Sequence, residues 1–219
     1  MILESNEEMN YSRLFLILCA FAFAAPIVHA QDNPPNAVKG VKFDADYFPG
    51  NSKAGKGKGK FGVIIMGGSG GGKWTNMAKR IAHLGHPVLS LAYFNKRTPN
   101  NLVPTSLEMI PLEYFEAPKK WLMDRQETRN DGVILIGLSK GAELALVLSA
   151  HDSDYSGVIA IAPSSVVWAG IPRKMSTIMS APSSWSVNGT GLDFVPYVSM
   201  SGLIKAGIDA ATTNRHIAS

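Results

Sequence analysis

The sequence predicts an α/β fold, in which helices cover both faces of a mostly parallel sheet. Four short apolar runs, each bounded by turn residues, have the composition of strands that are buried on both faces. Helical patterns alternate with these runs, as parallel strand connections require. The 219 residues are 46% hydrophobic and 17% charged and include one cysteine. This composition excludes a disordered chain and a disulfide-rich domain, and the length allows one domain or at most two small ones.

The elements follow one another along the chain in a regular order. An alternating strand at 41–48 leads into a loop rich in glycine and lysine, and the four buried strands span 62–66, 87–92, 132–136 and 157–162. Helical patterns cover 74–84, 112–123 and 140–149. Gly85 should end the first helix, and Pro118 should kink or end the second. After Pro163 no strand is predicted, and only 202–211 again has a helical pattern.

The N-terminus resembles an export signal. An apolar run from Leu14 to Ala25 is short for a membrane span, and Val28-His29-Ala30 fits a small-x-small cleavage pattern. We therefore expect a signal peptide over residues 1–30, a domain over 31–219, and a secreted or periplasmic protein. An uncleaved N-terminal membrane anchor is the alternative, and Met9 is an alternative start. The single cysteine, Cys19, lies in this segment, so the mature chain would contain no thiol nucleophile.

The net charge of +4 does not by itself indicate a nucleic-acid partner. Lysines cluster among glycines at Lys53, Lys56, Lys58 and Lys60, but no aromatic residues lie between them as stacking platforms. We therefore interpret this stretch as a solvated loop and expect no nucleic-acid partner. Once the signal is removed, we also expect no stable insertion into a membrane.

A serine motif follows the third buried strand directly. The sequence Gly137-Leu138-Ser139-Lys140-Gly141 is G-x-S-x-G, and a helix begins immediately after it. This strand-turn-helix context is typical of a nucleophile elbow, in which the serine hydroxyl projects above the sheet at the positive end of a helix. The backbone N–H of Lys140 would then be one donor to a developing oxyanion.

A glycine-rich loop at 67–72 also follows a strand and precedes a helix. One interpretation makes it the second half of an oxyanion hole, with Gly68 and Ser69 as donors. The alternative is a phosphate-binding loop, because the glycine spacing and Lys73 satisfy G-x-x-x-x-G-K. Trp74 stands where that motif needs Ser or Thr to hold magnesium, which argues against nucleotide binding.

Five segments together resemble the C-terminal domain of the acyl-CoA thioesterase and bile acid-CoA:amino acid N-acyltransferase family, which are α/β-hydrolases related to dienelactone hydrolase. The similar segments are GVIIMGGSGGG (62–72), GHPVLSLAYF (85–94), IPLEYFEAPKKWL (110–122), IGLSKGAELAL (136–146) and APSSVVWAG (162–170).

The resemblance implies that Ser139 is the nucleophile in hydrolysis of a small-molecule ester or thioester, such as an acyl-CoA of fatty acid metabolism. This mechanism requires neither a metal nor another cofactor. Two departures from the family are that no β-sandwich domain precedes residue 41 and that Pro118 interrupts a helix.

A serine hydrolase of this fold also needs an acid and a histidine base after the nucleophile. Only His151 and His216 follow Ser139, and His151 lies at the far end of the helix. Asp193 and Asp209 are the nearby acids, but no readable strand positions them or His216. We therefore expect the acid and base beyond residue 219, a partial domain that lacks its C-terminal strands, and an exposed edge strand at 157–162. A non-catalytic binding protein that keeps the pocket is the alternative function.

Overall fold

A six-stranded, mostly parallel sheet organises the computed structural model, which describes residues 36–38, 41–50, 60–97 and 100–197. The strands in this part of the chain are β1 (Asn36–Ala37), β2 (Asp44–Phe48), β3 (Lys60–Met66), β4 (Val88–Ala92), β5 (Ile110–Pro111), β6 (Thr128–Leu138), β7 (Tyr155–Ile161), β8 (Trp185–Val187) and β9 (Thr190–Gly191). The large sheet has the order β1-β2-β4-β3-β6-β7, with β3, β4, β6 and β7 mutually parallel and β2 antiparallel to β4. The predicted fold class and all four predicted strands are confirmed, but β7 is not buried on both faces as β3 and β4 are.

Three α-helices connect the strands in the part of the chain that the structure describes. They are α1 (Thr75–His83), α2 (Glu116–Met123) and α3 (Lys140–His151), and 3-10 helices cover Leu112–Phe115 and Met175–Ser180. Gly85 follows α1 with φ of +91°, a conformation that favours glycine, so the predicted helix stop is confirmed. Among the described residues, no helix is both long enough and apolar enough to cross a bilayer.

The helices lie on both faces of the sheet, as the alternation of elements predicted. Alternate residues of β3 enter two separate apolar clusters. Ile64 and Met66 pack on the face that α2 and α3 cover, whereas Val63 and Ile65 pack on the face that α1 covers. The central strands therefore have no polar face, which explains their continuous apolar sequence.

Pro118 does not kink the helix that it interrupts in the sequence pattern. The chain is a 3-10 helix up to Phe115 and becomes α-helical at Glu116, so Pro118 lies in the first turn of α2. Amides of the first turn have no partner inside the helix, and proline is tolerated there because it has no N–H to satisfy. The expectation of a kink at this residue was wrong for that reason.

A second, three-stranded sheet with the order β5-β8-β9 corrects the expectation that no strand follows Ala162. β5 pairs in parallel with β8, and β8 pairs antiparallel with β9. Strands of two or three residues are too short to show a sequence period, so the pattern of apolar residues could not reveal them.

The strand β7 forms the edge of the large sheet in the described part of the chain, as predicted. It pairs there only with β6, and its side chains alternate between partly covered and exposed positions. Ile159 and Ile161 are 52% and 36% exposed. This edge therefore presents unpaired backbone groups beside apolar side chains.

Several predictions concern residues outside the described ranges. They are the signal peptide at 1–30, the lysines at 53, 56 and 58, the helical pattern at 202–211, and the residues Asp209 and His216.

Candidate active site

The G-x-S-x-G motif forms a sharp turn between β6 and α3. Ser139 has φ of +53° and ψ of −115°, and residues with a side chain rarely adopt a positive φ. Its side chain is exposed, and its own amide donates to the carbonyl of Ile161 at 2.9 Å. Strained backbone of this kind persists only where the surroundings enforce it, and it is concentrated at functional sites.

The two glycines of the motif are required by close backbone contacts. A Cβ atom on Gly137 would collide with the carbonyl of Gly141, the residue that α3 brings back over the strand. A Cβ atom on Gly141 would collide with the carbonyls of Met66 and Gly67 at the end of β3. The helix therefore sits directly against two strand ends, and this packing fixes the turn that presents Ser139.

The glycine-rich loop lies beside this turn. A Cβ atom built on Gly68 would be 3.2 Å from the Cβ of Ser139 and 3.8 Å from its Oγ. The loop closes by a hydrogen bond from the Gly71 amide to the Gly68 carbonyl at 3.1 Å, and Ser69 is exposed at the tip. Of the two loop residues predicted as oxyanion donors, Gly68 borders the serine most directly.

The third predicted donor, Lys140, is the first residue of α3. The amides of the first helical turn lack intrahelical acceptors and lie at the positive end of the helix dipole. The structure thus brings Ser139, Gly68 and the Lys140 amide to one place, at the carboxyl ends of β3 and β6.

Lys73, the lysine of the alternative phosphate-loop motif, is already paired with carboxylates. Its ammonium lies 3.1 Å from the Asp44 Oδ1 and 2.9 Å from the Asp46 Oδ1. Asp46 also accepts a hydrogen bond from the hydroxyl of Thr75 at 3.1 Å. A phosphate at this loop would meet two carboxylates where the motif needs a free ammonium, so the geometry argues against nucleotide binding.

The side chain of Lys140 is buried, a feature that the local sequence pattern does not indicate. Its ammonium contacts both oxygens of Glu143 at 2.9 and 3.1 Å and the hydroxyl of Ser184 at 2.8 Å. Burial lowers the pKa of Lys140, and the Glu143 carboxylate opposes this shift. The sequence signal that could have indicated this buried pair is a lysine and a glutamate three positions apart in a mostly apolar helix.

Glu143 extends this network to two tryptophans. Its Oε1 accepts the indole N–H of Trp185 at 2.9 Å and the amide of Trp168 at 3.3 Å. The carboxylate is only 3% exposed, so nearly all of its stabilisation comes from these donors and Lys140. The network ties the N-terminal turn of α3 to the segment that follows β7.

The described histidines do not hydrogen-bond to Ser139. His86 contacts the carbonyl of Phe61 through Nδ1 at 3.1 Å, and His83 is exposed on α1. His151 contacts the carbonyl of Val147 at 2.8 Å, at the opposite end of α3 from Ser139, as expected. Asp193 is exposed and, with His151, lines a cavity of about 380 Å³ on the outer side of α3.

Comparisons with known proteins show that the region around the serine turn is similar to a known domain. A family model described as "BAAT / Acyl-CoA thioester hydrolase C terminal" matches residues 110–189. Human "Acyl-coenzyme A thioesterase 2, mitochondrial" is 34% identical over 100 residues, which are 46% of this chain and 20% of that protein. Human "Acyl-coenzyme A thioesterase 1" is also 34% identical over 100 residues, 46% of this chain and 23% of that protein.

Mouse "Acyl-coenzyme A thioesterase 6" is 37% identical over 99 residues, which are 45% of this chain and 23% of that protein. The chain therefore spans between 20% and 23% of the length of these relatives. The matches confirm the resemblance predicted from the motifs, and residues 110–189, which include Ser139, are similar to the C-terminal domain of the BAAT and acyl-CoA thioester hydrolase family.

Proposed function

We propose that this chain hydrolyses acyl thioesters or esters through an acyl-Ser139 intermediate. The observation that carries the proposal is the conformation of Ser139, which is strained, exposed and held against the glycine loop. The Ser139 oxygen would attack the carbonyl carbon while its proton passes to a base. The thiol or alcohol would leave with a proton, and water would then release the carboxylic acid from the serine.

The oxyanion formed in each step would be stabilised by backbone amides. Gly68 and Lys140 are the proposed donors, with Ser69 as a further candidate in the exposed tip of the loop. The amide of Lys140 supplies a fixed donor at a helix N-terminus, which requires no reorganisation when charge develops. Removing one such donor typically slows an enzyme by about 10²- to 10³-fold.

The names of the relatives favour acyl-coenzyme A as the first substrate class to examine. The predicted signal at 1–30 favours a small ester or a lipid-like acyl group instead, because coenzyme A is not expected outside the cytoplasm. We therefore propose two substrate classes, thioesters of coenzyme A and simple carboxylic esters. The location of the protein, secreted, periplasmic or anchored at its N-terminus, decides between them in the cell.

The proton acceptor lies outside the described residues in this proposal, since His83, His86 and His151 do not hydrogen-bond to Ser139. The exposed hydroxyl leaves room for a small base in solution. We therefore expect imidazole to accelerate acylation of Ser139 in the isolated 219-residue chain.

The test measures thiol release from acyl-coenzyme A and phenol release from nitrophenyl esters, with and without imidazole. Ser139→Ala gives the rate that does not depend on the nucleophile. Ser153→Ala is the matched control, because Ser153 is an exposed serine that follows α3 at its other end. We expect imidazole-stimulated turnover in the wild type and in Ser153→Ala only. Equal rates in the wild type and Ser139→Ala under all conditions would refute the proposal.

A non-catalytic binding protein is the second candidate, favoured by the lack of a histidine bonded to Ser139 among the described residues. It predicts that an acyl-coenzyme A or ester ligand binds with equal affinity to the wild type and to Ser139→Ala. It also predicts that a fluorophosphonate does not label Ser139. Calorimetry and mass spectrometry of the two proteins separate this candidate from the hydrolase.

A further inference from the structure

We propose that Tyr93 is a positioning residue that aims the Gly68 amide at the oxyanion, an inference that rests on the hydrolase function proposed above. Tyr93 directly follows β4 and is 1% exposed. Its hydroxyl donates to the carbonyl of Gly67 at 2.7 Å. Gly67 in turn directly follows β3, so this one side chain joins the ends of two adjacent parallel strands.

The bond matters because the Gly67 carbonyl and the Gly68 amide belong to the same peptide unit. A trans peptide is planar, and its N–H points opposite to its C=O. Fixing the oxygen of Gly67 therefore fixes the direction of the Gly68 N–H. Glycines flank this peptide on both sides, so its backbone torsions alone restrict it weakly. A hydrogen bond on the carbonyl also polarises the amide and strengthens it as a donor.

The position of Gly68 gives this orientation a consequence for Ser139. A Cβ atom on Gly68 would lie 3.2 Å from the Cβ of Ser139, so the two backbones are in contact range. Within the part of the chain that the structure describes, the Gly68 amide has no hydrogen-bond acceptor. A fixed, uncommitted N–H beside the nucleophile is the arrangement that stabilises a developing negative charge.

Tyr93 is itself held firmly in place. Its ring lies 5.7 Å from the ring of Trp185 and 6.4 Å from that of Phe115, measured between centroids. Trp185 donates to Glu143, which binds the side chain of Lys140. Tyr93 and the side chain of Lys140 thus belong to one buried network. Tyr93 lies behind the Gly68 amide, and the backbone of Lys140 supplies the other proposed donor.

Burial raises the pKa of the Tyr93 hydroxyl, and the charge of Glu143 raises it further. The hydroxyl therefore remains protonated, and remains a donor, at every pH at which the protein would act.

The experiment compares Tyr93→Phe with Tyr114→Phe in the full 219-residue chain. Each variant removes one hydroxyl that donates to a backbone carbonyl at 2.7 Å, but Tyr114 donates to Ala92, not to the glycine loop. The Tyr114 hydroxyl also accepts a long hydrogen bond from the Asp44 amide at 3.4 Å. Both variants keep their rings, so we expect similar, small losses of stability. The matched pair therefore separates orientation of Gly68 from the general effect of losing a buried hydroxyl.

Two measurements decide the proposal. In Tyr93→Phe we expect kcat of the imidazole-stimulated reaction to fall about 10- to 100-fold, with KM within about twofold. A loss of this size is part of the effect of removing an oxyanion donor. We also expect the ¹⁵N chemical shift of the Gly68 amide to move, because that nitrogen responds to hydrogen bonding at the preceding carbonyl. Tyr114→Phe should change neither quantity appreciably.

An unchanged Gly68 shift in Tyr93→Phe would overturn the positioning role, whatever the activity. An unchanged kcat beside a changed shift would overturn its importance for catalysis. Lack of Ser139-dependent turnover in the wild type would refute the proposed hydrolase and with it the catalytic claim, whereas the shift would still decide whether Tyr93 orients the amide.

Discussion

The buried pair of Lys140 and Glu143 makes Glu143→Leu the most informative stability variant. The substitution removes a carboxylate that is 3% exposed and accepts the indole N–H of Trp185 at 2.9 Å. Lys140 is 7% exposed and would be left with Ser184, two backbone carbonyls and the face of the Trp185 ring as partners, none of which carries a negative charge. An ammonium left in that position is stabilised neither by water nor by a counter-charge.

The expected loss follows from this unpaired charge. Breaking a buried ion pair by removing one partner typically destabilises a protein by about 3–5 kcal/mol. The double variant Lys140→Met/Glu143→Leu removes the charge as well and leaves chiefly the Trp185 indole without an acceptor, at about 1–3 kcal/mol. We therefore expect the double variant to be about 2 kcal/mol more stable than Glu143→Leu, although it contains one substitution more.

Urea denaturation followed by tryptophan fluorescence measures these differences, since Trp185 lies within the network. The slope of the transition should remain constant, so that shifts in midpoint report stability. The single variant Lys140→Met completes the comparison. If the double variant loses as much stability as Glu143→Leu and Lys140→Met lose together, Lys140 and Glu143 are not coupled and the reasoning is refuted. The reasoning is also refuted if the free energy of unfolding of Glu143→Leu lies less than about 1 kcal/mol below that of the wild type.

Two further predictions concern the elbow and an ion pair. Gly141→Ala should lower stability by about 1–3 kcal/mol and reduce labelling of Ser139 by a fluorophosphonate, because its Cβ would strike strand carbonyls; Gly70→Ala, where a Cβ meets no atom within 4 Å, is the control and should change neither. Burial alone would raise the pKa of Asp152, but hydrogen bonds from Lys119 and from the Asp154 amide, together with the charge of Lys119, outweigh it, and the pKa lies below its ordinary value. The stabilisation is thus present above the ordinary pKa of about 4 and is lost as the pH falls through the lowered one. Asp152→Asn should be about 1 kcal/mol less stable than the wild type at pH 7, with a difference that shrinks towards pH 3; a difference independent of pH in urea titrations would contradict this assignment.

The centre of the large sheet was predictable because β3 and β4 are buried on both faces. Runs such as 62–66 and 132–136 have no polar face. Each run ends at a turn in which glycines allow close contact between backbones. The position of Ser139 followed from the same logic, since its motif has meaning only between a strand and a helix. Local sequence determines these features, so one amino-acid sequence is sufficient to predict them.

The network around Lys140 could not be predicted, because its partners are distant in sequence. Ser184 and Trp185 lie more than 40 residues after Lys140, in a segment whose strands are too short to show a period. Nothing local indicates that the lysine faces inwards. The role of Tyr93 could not be predicted for a similar reason, since its partner Gly67 is 26 residues away in sequence and follows another strand.

The edge strand β7 has a mechanical consequence for the nucleophile. The carbonyl of its last residue, Ile161, accepts a hydrogen bond from the amide of Ser139. This bond attaches the strained turn to the outermost strand of the described sheet. On the side away from β6, the backbone groups of β7 have no strand partner among the described residues. Any strand that docks along that side would stiffen β7, and the stiffening would reach Ser139 through the Ile161 carbonyl and through the pairing of β7 with β6. Occupancy of this edge and reactivity of the serine are therefore expected to vary together.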